Sequence, residues 1–125
     1  MIVTHRSIQD LIKPIRQSVV AAVQGDSYSR QIEMTLTADS IPWAVPADSS
    51  VSVRYRKADD TRGEYSAMPD GTSAYELGEH TVTIKLAPEV LDVAGKAMLQ
   101  AVLTNGNQSL AIFTLEIDVQ PDPSI

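Results

Sequence analysis

The sequence predicts an all-β domain: an antiparallel, immunoglobulin-like β-sandwich with one short connecting helix. Three observations carry this reading. Four runs place apolar residues at every second position. Gly, Pro, Asn and Asp cluster between the runs. A single stretch carries both helix start and helix stop signals, and it is only one to two turns long. Successive side chains of a strand point to opposite faces, so each alternating run has one dry face and one wet face. Strands wet on one face belong to antiparallel sheets.

Residues 1–18 are expected to form an N-terminal arm. Ile8, Leu11, Ile12 and Ile15 have helical spacing, but Pro14 falls among them, where it removes a hydrogen bond and clashes with the preceding turn. The arm is therefore expected to be extended or irregular. Met1 reads as a natural start, and residues 1–24 do not read as a signal peptide, because polar and charged residues interrupt every apolar cluster. The sandwich is placed at 19–120. Val19–Val23 is a short strand, apolar on both faces.

The four alternating runs follow. Ile32, Met34 and Leu36 form the first, Val51, Val53 and Tyr55 the second, and Val82, Ile84 and Leu86 the third. Phe113, Leu115, Ile117 and Val119 form the last. Pro42 and Pro46 bracket Trp43 in a segment that cannot be a central strand. Pro88 suits a first helical position and Gly95 a position just past the end, so residues 89–93 are expected to be the connecting helix. Ala97–Leu103 reads as a central strand, and Asn105-Gly106-Asn107 as a hairpin turn into the last run. Pro121-Asp122-Pro123 ends that strand, making 121–125 a linker or C-terminal tail.

Composition narrows the function. A chain of 125 residues suits one domain, and 43% apolar content suffices for one core. The absence of cysteine rules out disulfides, thiolate metal sites and thiol nucleophiles. A formal net charge of −6 argues against nucleic acid as a partner, since phosphate binding needs clustered Lys and Arg. The one dense basic stretch, Arg54, Arg56 and Lys57, runs straight into Asp59 and Asp60. No apolar run approaches the ~18 residues of a membrane helix, so no membrane partner is expected.

Several segments also occur in a familiar order. Gly25-Asp26-Ser27-Tyr28-Ser29-Arg30 precedes Ile32–Leu36, and Val51–Lys57 follows. Then come Met68-Pro69-Asp70-Gly71-Thr72-Ser73-Ala74-Tyr75 and Thr81–Leu86. Last are Ala87-Pro88-Glu89-Val90-Leu91 through Ala94-Gly95, and Phe113–Val119. Over residues 15–120 this order resembles the N-terminal domain of the baseplate upper protein family from tailed phages and prophages of Gram-positive bacteria. The resemblance implies a sandwich that attaches a longer protein to the baseplate, located in the virion tail after synthesis in the bacterial cytoplasm. It implies other phage tail and baseplate proteins as partners, with a homo-oligomer left open. Members often continue into a receptor-carrying part; this sequence stops at Ile125, as a piece of a longer protein or a short relative would, and the attachment role is the one expected of the residues present.

Residue chemistry points the same way. His5 and His80 lack a partner at helical spacing and read as exposed turn histidines. Asp59, Asp60 and Glu64 offer hard oxygen ligands, but a solvated acidic loop is the plainer reading. No catalytic constellation, metal site or cofactor motif is recognisable, so the chain is read as a non-enzyme. Two residues are expected to anchor a protein partner: Trp43, held in a loop by prolines, and Arg30, which opens a strand beside a tight turn. The predicted function is a structural adaptor docking onto tail proteins. The alternative is a carbohydrate-binding or adhesion module of the same fold, with Trp43 as its platform.

Overall fold

The computed structural model describes residues 1–124; Ile125, the last residue of the expected tail, lies outside the described residues. Among the described residues ten strands form: β1 (Val3–Asp10), β2 (Val20–Val23), β3 (Arg30–Ala38), β4 (Ile41–Pro42), β5 (Ser50–Arg56), β6 (Arg62–Tyr65), β7 (Tyr75–Leu77), β8 (Thr81–Lys85), β9 (Gly95–Asn105) and β10 (Gln108–Gln120). They make two sheets. One runs β1-β3-β8-β7 with β4 paired to the end of β3, and the other runs β2-β10-β9-β5-β6.

The alternating runs set the core between these sheets. Ile32, Met34, Leu36, Val53, Ile84, Leu86, Leu115 and Ile117 are all buried, while Glu33, Thr83 and Glu116 on the opposite parity are not. A one-residue slip in any of these strands would reverse its faces, so hydrophobic burial fixes the register. Tyr65 adds a tie between the sheets. From β6 its hydroxyl donates to the Lys85 carbonyl at 2.7 Å and accepts the Ala87 N–H at 3.1 Å, both at the end of β8 in the other sheet.

The fold is a two-sheet all-β sandwich, but it departs from the expected antiparallel, immunoglobulin-like arrangement in two ways. First, the sheets are mixed. β1 pairs parallel to β3, from Val3 opposite Arg30 to Asp10 opposite Thr37, and β2 pairs parallel to β10. Residues 3–10 of the segment read as an arm thus form an edge strand of one sheet, and residues 20–23 form an edge of the other. Period-two alternation records which faces are dry but not the direction of the neighbour. Second, the connecting helix is a single 3₁₀ turn, Pro88–Val90, closed by Leu91 N–H on the Pro88 carbonyl at 3.1 Å. Val90 and Leu91 are adjacent and both buried, which a turn inserted at the sandwich margin allows. Gly95 starts β9 at φ +117° with the Ala58 side chain close behind it.

Candidate docking site

Trp43 sits at one end of the sandwich, and the chain is built to place it there. β3 turns into β4 through Asp39 and Ser40, whose φ values are +51° and +67°. Two successive positive φ angles make the turn that matches strand twist; Asp tolerates such an angle, but for Ser it is uncommon. The Asp10 carboxylate, at the end of β1, holds them. It accepts the N–H groups of Asp39 at 3.1 Å and Ser40 at 2.7 Å, and the Thr37 hydroxyl at 2.8 Å. It also accepts the N–H groups of Lys13 at 2.7 Å and Ile12 at 2.9 Å, turning the chain away from β1. These donors, Lys13 and Ser40 foremost, hold the Asp10 carboxyl far below the usual carboxylate range.

Acidification is therefore expected to loosen this corner. A carboxylate with a depressed folded pKa stabilises the fold above its unfolded pKa of ~3.9, and that contribution is lost as pH falls below it. The stability gap between the natural chain and Asp10→Asn, read from urea midpoints, should be full near neutrality and shrink at acid pH. A gap that stays constant with pH would show that the Asp10 charge does not hold the turn.

Beyond the turn, Trp43 N–H donates to the Leu36 carbonyl at 3.0 Å, and Val45 N–H to the Glu79 carbonyl at 2.9 Å. His80 lies 3.0 Å from the Trp43 carbonyl through Nδ1. A carbonyl only accepts, so Nδ1 carries the proton. His80 is half-buried and braces the Trp43 loop, which corrects its reading as an exposed turn residue.

The opposite wall comes from the β9–β10 hairpin, closed by Gly106 at φ +60°. A bulge between Ala111 and Phe113 lets both Ile112 and Phe113 point inward. It also shifts the phase of the strand before it, so that Leu110 faces the core side, directly opposite buried Leu103. Among the described residues no strand covers Leu110 there, and it stays 42% exposed. Half-buried Trp43, Pro46, Leu103, Leu110, Asn105 and Gln108 line the resulting groove of about 420 Å³. Every lining side chain is uncharged. The groove is thus an aromatic and aliphatic hollow with a few amides at its rim, the pattern of an anchor pocket.

Arg30 lies elsewhere. It opens β3, whereas Trp43 bonds to Leu36 near its end, six residues or about 20 Å along the strand. The two anchors expected from the sequence therefore do not form one site. The Arg30 guanidinium bonds to Asp26 Oδ2 at 2.5 Å through Nε. Its Nη1 reaches the Ala21 carbonyl at 3.1 Å and His5 Nε2 at 3.3 Å. Arg30 thus ties β1, β2 and the Gly25-Asp26 turn together, and its hydrogen bond lowers the Asp26 pKa. His5, half-buried on β1, is also not the exposed turn residue expected; burial and then the Arg30 charge lower its pKa.

The acidic loop carries no assembled site. Asp59 accepts the Thr61 N–H at 3.0 Å, and Glu64 accepts the Ser52 hydroxyl. Among the described residues, no group of three His, Cys, Asp or Glu side chains is placed to hold a metal. No helix among them is long and apolar enough to cross a membrane.

No family model matches the sequence, and no curated protein sequence is similar to it. Likeness to a solved structure is found in the fold. The chain is similar in fold to the N-terminal domain of phage TP901-1 ORF48. The TM-score is 0.63 at 11% sequence identity, over 94% of this chain and 98% of that one. At that identity the likeness speaks for the fold alone. Neither Trp43 nor Arg30 needed the structure to be noticed; the missed residues are Leu110, Asp10 and Tyr65. Leu110 was hidden by the bulge, which breaks the period-two count between residues 110 and 113.

Proposed function

We propose that this domain is a structural adaptor of a phage or prophage tail baseplate, working in the virion tail and docking onto neighbouring tail proteins through the Trp43 groove. The observation that carries the proposal is Leu110, turned to the core face beside Trp43 and left without cover. A rigid sandwich end that leaves an aliphatic and an aromatic side chain half open offers a partner a small dry anchor point. The order of segments from Gly25 to Val119 and the likeness in fold to a phage protein domain support the tail setting. Arg30 serves this role indirectly, by fixing the β1 and β2 edges.

Purified tail proteins encoded beside this chain should include one that it captures, and Trp43→Ala should weaken that capture by about tenfold or more, as loss of an interface anchor does. Thermal melting checks that the variant stays folded. Trp43 is the only Trp, so its fluorescence reports occupancy of the groove directly. The carbohydrate reading has one observation in its favour: Asn105, Gln108 and Ser109 set hydrogen-bonding groups beside the indole. If no tail protein binds, and a glycan array yields a saturable hit that Trp43→Ala abolishes, that reading replaces the adaptor.

A further inference from the structure

The outer face of the β5–β6 pair carries an unbalanced charge. Arg56 lies directly opposite Arg62 across the two strands, and Arg54 opposite Glu64. Like charges directly opposite in a sheet destabilise it, so such a pair needs a reason. Arg54 reaches Glu64 at 3.6 Å and, nearby on the same face, Lys96 reaches Glu116 at 3.8 Å. Arg56 and Arg62 are both exposed, and among the described residues neither has a carboxylate within ion-pair distance. Together with Arg54, Met98, Gln100 and Thr114 they border an open depression of about 420 Å³. In a chain of net charge −6, three guanidiniums thus converge on one hollow with an apolar thioether beside them.

We propose that this face binds an acidic surface of a neighbouring tail protein, whose carboxylates pair with Arg56 and Arg62. The inference rests on the adaptor reading above and adds the chemistry of the partner. Guanidinium forks suit carboxylates because two parallel N–H groups meet two oxygens. A second copy docking through this same face is a poorer occupant, since Glu64 and Glu116 on it already have cationic neighbours. Nucleic acid fits poorly with the overall negative charge. The site is also separate from the Trp43 groove. Arg56 pairs with Met98 on β9, whereas the groove begins at Leu103, five residues or about 17 Å further along.

Single charge reversals make the test sharp. Arg56→Glu or Arg62→Glu replaces a repulsive cross-strand pair with an attractive one, so melting temperature should hold or rise. Capture of the tail partner should nevertheless fall about tenfold or more, and capture by the natural chain should weaken steeply with added salt. Capture that is salt-insensitive and unchanged in both variants, while Trp43→Ala still reduces it, would overturn this inference and leave the adaptor reading intact. If no tail protein is captured at all, both fall. Self-association that depends on Arg56 and Arg62, or duplex DNA binding lost in the variants, would overturn it in favour of those occupants.

Discussion

Ile84→Ala is expected to lower the free energy of unfolding by about 2–5 kcal/mol, the range for truncating a buried aliphatic side chain. Ile84 is fully buried on β8, an inner strand of its sheet, between Ile32 on β3 and Tyr75 on β7. Its neighbours are held by strand pairing on both sides, so they cannot collapse into the space left by the lost methyl groups. The cavity adds to the lost transfer free energy. Thr83→Ala, one residue away on the wet face, should cost about 1 kcal/mol or less, within the spread of strand propensities. Urea unfolding of both variants measures the difference. Equal losses would mean that the two faces of β8 have been exchanged.

Tyr65→Phe should cost about 1–3 kcal/mol, the penalty for leaving buried polar groups unpaired. The ring would stay, packed against Tyr55 with centroids 6.0 Å apart, so little volume is lost. What disappears is the hydroxyl that both donates to Lys85 and accepts from Ala87. Ala87 is fully buried, and its N–H would have no replacement partner. The same burial pushes the Tyr65 phenol well above its ordinary value, so the neutral form is the folded form. A group with a raised folded pKa stabilises fully below its unfolded pKa, ~10 for Tyr, and loses that contribution as pH rises beyond it. The natural chain should therefore lose stability in alkali more steeply than Tyr65→Phe. A variant as stable as its parent, with the same alkaline slope, would exclude the tie between sheets.

Much of the core was readable from residue order. Ile32, Met34 and Leu36 alternate with polar neighbours, and that pattern needs only the strand's own geometry to be interpreted. Trp43 was readable for a similar reason, since flanking prolines keep a segment out of a sheet interior whatever surrounds it. Its partners were not. Leu110 looks like an outward residue until the bulge between Ala111 and Phe113 is known, and that bulge shows only in the pairing of β10 with β9. The Arg56 and Arg62 pair was equally hidden. Arg54, Arg56 and Lys57 stand out as a basic stretch, but only the β5–β6 pairing brings Arg62 beside Arg56 and takes Lys57 away to Asp92, at 2.8 Å.

The sequence by itself determined the strands of the four alternating runs, which faces of them are dry, and where turns such as Gly106 fall, but not the strands β1, β4, β6 and β7. Those are local properties, set by side-chain alternation and allowed backbone angles. Only the tertiary structure decided that β1 and β2 join their sheets in parallel, that Asp10 collects donors from residues up to 30 positions away, and that Tyr65 bridges the sheets. Pairing partners are chosen by the total burial and hydrogen bonding of the whole chain. Period-two alternation is the same whether a strand's neighbour runs parallel or antiparallel, so it cannot record that choice.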